Sequence, residues 1–204
     1  KRFQAIPGVS SATYSNSSII RAGQAGGAYR GAMRAGSVAI EGARVLAAGP
    51  RFLSTMQIPI LAGREMDDRD QQGSTPVAVI SERLARTYFG GENPVGRRIT
   101  FVDENRDVEI IGVAGNVRYG GLRRESPMTV FAAASQAAPE QVTYALRTAG
   151  DPLQHVRSVH EIVREVDSRI PVTNVITQAA EIDRTISREI TFAKLCTGFA
   201  VLAL

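Results

Sequence analysis

The sequence predicts an α+β fold, and three observations carry that expectation. Short runs rich in Val, Ile and Thr, separated by Gly, Pro and Asn, crowd the middle of the chain. Apolar residues at helical spacing are clearest in the carboxy-terminal third. A length of 204 residues with 44% hydrophobic and 22% charged side chains supports one large domain or two small ones, and excludes disorder for the chain as a whole.

Taken in order, Pro7-Gly8 predicts a turn, and the Ser-, Thr- and β-former-rich run 9–20 a strand after it. Arg21 to Gly36 is dense in glycine but lacks the Gly-Lys-Ser/Thr ending of a phosphate loop, so it reads as a flexible loop. Val38, Ile40, Val45 and Leu46 predict a strand with an irregularity at Gly42. Phe52, Leu53, Met56 and Ile58 predict a short helix that Pro59 must end or follow closely. Residues 76–80 read as a buried strand, and Ser81 as the cap of a helix through Phe89 that carries Leu84, Ala85 and Tyr88 on one face and stops at Gly90-Gly91. Strands are expected at 97–102 and 108–113 about a turn at 103–107, then at 130–134 and 141–148. Asp151-Pro152 pairs a capping acid with a proline at the first helical position. The helix it opens carries Leu153, Val156, Val159, Ile162, Val163 and Val166 as an apolar stripe. Pro171 to Ile176 reads as a last strand, and Thr177 as the cap of a second helix carrying Ile182, Ile186 and Ile190.

The chemistry-bearing side chains form no catalytic set. Cys196 is the lone cysteine, which excludes an internal disulfide framework and a cysteine-rich zinc site, and its apolar neighbours raise a thiol pKa rather than activate it. His155 and His160 lack the i, i+4 spacing of a metal pair and lie off the apolar stripe, so they read as solvated or rim residues. Asp67, Asp68, Asp70 and Gly73 suggest a calcium loop, but a loop starting at Asp68 puts Val79 where a bidentate Glu is required, so a solvated loop is expected instead. Neither a Walker loop, a zinc-protease helix nor a nucleophile elbow occurs. No catalysis, cofactor or metal is therefore expected.

Charge and the two ends of the chain add to this. The net charge is +4, and of 24 basic residues only Lys1 and Lys194 are lysine. Lys1, Arg2, Arg21, Arg30, Arg34 and Arg44 face a single acid, Glu41, in the first 50 residues, but no run of like charges or nucleic-acid motif accompanies them. Nucleic acid is therefore not an expected partner. The opening Lys1-Arg2-Phe3-Gln4, with no initiator Met or signal core, reads as the start of an excised piece. Phe192 to Leu204 holds one charge, Lys194, and is shorter than the ~20 apolar residues that cross a bilayer. It reads either as a membrane helix cut off partway or as a buried core helix.

Three successive runs carry a resemblance: Pro50 through Gly63-Arg64 to Met66, PVAVISERLARTYFGGENPVGRRI at 76–99, and VEIIGVAGNVRYGGLRRE at 108–125. Together with Pro7-Gly8-Val9, LRTAGDP at 146–152 and DSRIPV at 167–172, they resemble the MacB-type periplasmic core domain of MacB/FtsX-like ABC transporter permeases. The RYGGLRRE run at 118–125 is similar to the duplicated orphan permeases of acidobacteria.

The resemblance implies a two-lobed extracytoplasmic domain facing the periplasm from the inner membrane. Residues 1–48 and 135–190 would form a βαβ-type, porter-like α+β lobe, and 49–134 an inserted, mostly-β lobe. Residues 191–204 would begin a truncated transmembrane helix. Gly63, Arg64, Gly96, Gly112 and Val113 would be structural motif residues, and Ile182, Ile186, Arg188 and Ile190 would belong to a helix that transmits movement. The implied partners are a cytoplasmic ABC ATPase, a second permease copy or repeat, a periplasmic adaptor or lipoprotein, and the membrane through flanking helices. A free-standing periplasmic ligand-binding or adaptor module is the alternative expectation.

Overall fold

A computed structural model describes residues 2–18, 32–117, 126–137 and 141–184. Among the described residues ten strands form one mixed sheet: β1 (Val9–Ser15), β2 (Met33–Ala35), β3 (Val38–Ile40), β4 (Arg44–Ala48), β5 (Ile60–Gly63), β6 (Val77–Ser81), β7 (Arg98–Phe101), β8 (Arg106–Ala114), β9 (Thr129–Ala133) and β10 (Thr143–Thr148). The helices are α1 (Phe52–Thr55), α2 (Glu82–Phe89), α3 (Ala134–Ala137) and α4 (Val156–Val166), with a further helical segment over 178–184. The strand order is β10-β1-β4-β9-β6-β8-β7-β2-β3, and β5 pairs with β8 beside this path. The β4–β9 and β6–β8 pairs are parallel and the rest antiparallel.

Strands buried on both faces are near-continuous apolar runs rather than alternating. All five residues of both β6 and β9 are buried. Ala78, Ile80, Val130 and Ala132 pack with Leu84, Ala85 and Phe89 of α2 on one face of the sheet. Their neighbours Val77, Val79, Phe131 and Ala133 pack with Phe52 and Leu53 of α1 on the other. The Phe52 and Phe131 rings meet at 6.3 Å between centroids.

Local signals explain the helix ends. The Ser81 hydroxyl accepts from the Leu84 amide, capping α2, and from the Thr129 amide 2.9 Å away, which ties the helix start to β9. Gly90 ends α2 in the left-handed conformation, with φ 59°. Asp151 accepts from Leu153 N at 2.9 Å, and Thr177 Oγ1 from Ala180 N at 3.1 Å.

Several expectations require correction: Met33–Ala35, the end of the run expected to be a flexible loop, forms β2 between β7 and β3. Val38 to Leu46 is not one strand: Gly42 (φ 69°) turns the chain, so that β3 lies at the sheet edge while β4 runs through its middle. The first helix stops at Thr55, because Gln57 takes φ 57° and redirects the chain into Pro59 and β5. The first strand ends at Ser15 rather than running to residue 20. Residues 171–176 have strand composition but make no ladder among the described residues.

Truncating the ring at the centre of the α1 face should be costly. Phe131→Ala is expected to lower unfolding stability by about 3–5 kcal/mol, read as a lower urea midpoint at unchanged slope.

Candidate functional site

Gly63 and Gly112 are opposed across the β5–β8 ladder. Gly63 has φ 69°, and a Cβ on it would fall on the Ile111 carbonyl oxygen and 2.9 Å from Gly112 Cα. A Cβ on Gly112 would in turn fall on the Arg64 carbonyl oxygen. The two backbones therefore cross at a separation only glycine permits. The crossing coincides with a bulge, since Ala78 pairs with Ile110 and Val79 with Gly112, which leaves Ile111 as the extra residue. Past the bulge the side-chain phase inverts. Ile110 and Val113 both face α2, while Ile111 and Ala114 face α1. Gly96 (φ 88°) has open space where its Cβ would be, so its requirement is the backbone angle, and its amide donates to Ile110 O at 2.8 Å.

Arg64 follows directly. Its amide donates to Ile111 O at 2.9 Å, and its guanidinium makes a two-pronged bond to Asp70, Nη1 to Oδ2 and Nη2 to Oδ1, both 2.8 Å. Asp70 is buried and also accepts from the Asp67 amide at 2.9 Å. The Ser135 hydroxyl of α3 donates to the Asp70 carbonyl. Gln136 accepts from Val77 N at 3.0 Å and donates to Thr75 O and Ser74 Oγ at 2.9 Å each. The 64–76 loop, expected to be solvated, is thus pinned at Asp70 by an ion pair and by α3. Fork geometry between Arg64 and Asp70, six residues apart, is the reason this carboxylate is buried.

Electrostatics follow the same contacts. Burial raises the Asp70 pKa, but the Arg64 guanidinium and Asp67 amide outweigh it and leave the group below its ordinary value. Bonds from the Arg69 side chain and amide hold Asp67 down at about 2.

A second junction lies where the β1–β10 pair meets the rest of the sheet. β1 and β4 share a single pair, Ser15 with Ala48, whereas β4 and β9 share five, Arg44–Thr129 through Ala48–Ala133. Gly49 N donates to Tyr14 O at 2.7 Å, and a Cβ on Gly49 would stand 2.7 Å from the Tyr14 ring. Asn16 N donates to Ala47 O at 2.9 Å, and its Oδ1 accepts from Ala47 N at 3.1 Å. Thr13 Oγ1 donates to Pro50 O at 3.0 Å, and Arg147 of β10 donates through Nε to Thr55 O, the end of α1, at 2.8 Å.

Beyond this seam packing is looser. α4 has no fully buried residue, and Val166 is 63% exposed. A 3₁₀ turn over Pro152–His155 precedes it, and its threefold spacing departs from the helical phase expected there. In consequence Leu153 is 52% exposed, whereas His155 is buried against Gly8, with its Nε2 3.2 Å from Gln154 Nε2. That corrects the rim reading for His155; His160 is exposed. Ile182 is half-buried in the 178–184 helix, while Ile186, Arg188, Ile190, Cys196 and the 118–125 and 191–204 runs lie outside the described residues. Among the described residues no cluster of three His, Cys, Asp or Glu is placed to hold a metal, and no helix is long and apolar enough to cross a membrane.

Residues 1–154 match the family model described as the MacB-like periplasmic core domain. The chain belongs to this family. It is similar to the periplasmic region of MacB from Actinobacillus actinomycetemcomitans, with TM-score 0.59 and 16% identity over 80% of this chain and 70% of that one. It is also similar to the extracellular domain of the noncanonic ABC-type transporter YknZ from Gram-positive bacteria, with TM-score 0.54 and 15% identity over 81% and 78%. A domain of a putative permease protein from Porphyromonas gingivalis gives TM-score 0.52 and 19% identity over 78% and 65%. These likenesses establish the mixed α+β fold. The Pyoverdine export ATP-binding/permease protein PvdT of Pseudomonas aeruginosa is 36% identical over 62 residues, 30% of this chain. Those residues span 9% of PvdT.

The two lowered carboxylates of this loop contribute to an acid limb, together with Asp167, which bonds from the Arg169 side chain and amide also lower. A depressed folded pKa adds stability above the unfolded value of about 3.9 and loses it as pH falls through the folded value. The urea midpoint is therefore expected to drop between about pH 4 and pH 2. Asp67→Asn and Asp70→Asn should each flatten that drop; an undiminished slope in both would contradict the contribution of these pairs.

Proposed function

We propose that this chain is the extracytoplasmic domain of an ABC transporter permease of the inner membrane, and that it transmits ATP-driven movement to a substrate or partner in the periplasm. The family match over 1–154 carries this reading. ATP hydrolysis is assigned to a separate cytoplasmic ATPase domain or subunit, with a second permease copy or repeat and a periplasmic adaptor or lipoprotein as further partners. The work is export or extraction of a substrate, or action on a periplasmic partner.

In this reading the domain has two lobes, 1–48 with 135–190 and 49–134. The single-pair seam between β1 and β4 supports relative movement of two parts. β2 pairs with β7 and β4 with β9, which favours a moving boundary between β1 and β4. Packing of the turn over Arg2–Ala5 on α4, with Arg2 Nη1 3.7 Å from Glu165, supports a common layer of the turn and α4. The helix that begins after Thr177 is proposed as the lever, on the apolar repeat of Ile182, Ile186 and Ile190 in the sequence, with Arg188 outside that repeat.

Proline inside a helix costs about 3 kcal/mol or more and kinks the axis. Arg188→Pro in the full-length permease is expected to retain membrane insertion and ATP turnover while losing transport or extraction, with Arg188→Ala near wild type. Full function of the proline variant at matched expression would overturn the lever reading.

A further inference from the structure

The seam has two unlike ends. Tyr14, Ser15 and Asn16 meet Ala47, Ala48 and Gly49 through backbone bonds, one ladder pair and a side-chain amide, a close contact of small area. Arg147 pairs with Ser11 in the β1–β10 register, four residues from Ser15, or about 13 Å along the strand at ~3.3 Å per residue. There the sheet ladder does not continue onto β4. α1 packs there on β1 and β10, and the Arg147 guanidinium adds the polar bond, donating from both Nε and Nη2 to the Thr55 carbonyl at the carboxy-terminal end of α1. A helix's last carbonyls lack intrahelical donors, and a cation is favoured at that end. Between the two, Thr13 Oγ1 donates to Pro50 O.

We infer that the Tyr14–Gly49 contact is a hinge and that Arg147 is the clasp that holds the β1–β10–α4 layer closed on α1. Arg147 is a positioning residue: it acts on α1, whose Phe52 and Leu53 are anchored in the central core. The hinge end suits rotation because the Tyr14 ring lies against a glycine with no side chain to interlock. The clasp end suits release because one side chain makes the bond and β10 leads through Gly150 and the Asp151 cap directly into the α4 layer. A charge-assisted bond to a single carbonyl is strong enough to bias two arrangements and is broken by one rotamer change.

This inference rests on the transmission reading for its purpose but not for its test. Spin labels at Val166→Cys on α4 and Val38→Cys on β3, both exposed, report the separation of the two parts in the full-length permease in nanodiscs, with every native cysteine, Cys196 among them, replaced by serine and without nucleotide. Arg147→Ala and Arg147→Met, the second keeping an apolar stem, are expected to add a second distance population that wild type lacks. Arg147→Lys, which can donate to Thr55 O, is expected to restore the single one. Wild-type distances in both neutral variants would overturn the clasp, as would loss of the folding transition in both, which would make Arg147 a structural staple. A lysine variant indistinguishable from alanine would overturn the assignment to the charged bond. None of these measurements involves transport, so their failure would leave the transmission proposal standing, and failure of the Arg188→Pro test would leave the clasp standing.

Discussion

The close crossing of β5 over β8 at Gly63 and Gly112 sets the geometry of the central sheet. Backbone separation there leaves no room for a Cβ on either strand, and the bulge at Ile111 falls at the same point. The bulge inverts the side-chain phase of β8, so one strand serves the α2 face with Val108 and Ile110, then the α1 face with Ile111, then α2 again with Val113. Arg64 leaves the crossing already aimed at Asp70, and that ion pair fixes the loop on which Ser135 and Gln136 dock α3. A backbone constraint of one glycine pair is thereby passed to strand phase, loop shape and helix docking.

Outside this body the same chain is held differently. β6 and β9 are wholly buried, whereas α4 buries no residue completely and Val166, Ile170 and Val175 stand exposed near it in sequence. Local stability follows buried apolar contact, so the β1–β10–α4 layer belongs at the low end of the domain's stability range and the central strands at the high end. A stiff body and a looser layer joined by a narrow seam form a mechanical arrangement, consistent with a periplasmic core domain proposed to move rather than to catalyse.

What the sequence made legible was mostly local. Ser81 with Gly90, Asp151 with Pro152, and Thr177 each announce helix ends through short-range bonds, and the 76–80 run shows a doubly buried strand by its unbroken apolar character. Gly63 and Gly112 stood out as residues, but their partnership, 49 positions apart, leaves no mark in the pattern of either strand. β2, with three residues, is too short for a periodicity to show. The 171–176 run has strand composition, yet a strand also needs a partner edge, which composition does not specify. Asp70 looked like one acid among three, and His155 like a rim residue, because burial of each depends on an arginine fork and on a 3₁₀ phase that the helical repeat hides. Arg147 gave no signal beyond its place in the LRTAGDP run, since its partner is a main-chain oxygen 92 residues away.

The claim on which all of this turns is that the domain consists of a stiff central sheet and a separately openable β1–β10–α4 layer. Native-state hydrogen exchange across a low-denaturant series measures it directly. The expected result is that amides of β6, β8 and β9 exchange only through global unfolding, while those of β10 and α4 share one smaller opening free energy that is less sensitive to denaturant. A single opening free energy common to β10, α4 and the central strands would contradict the division into two parts.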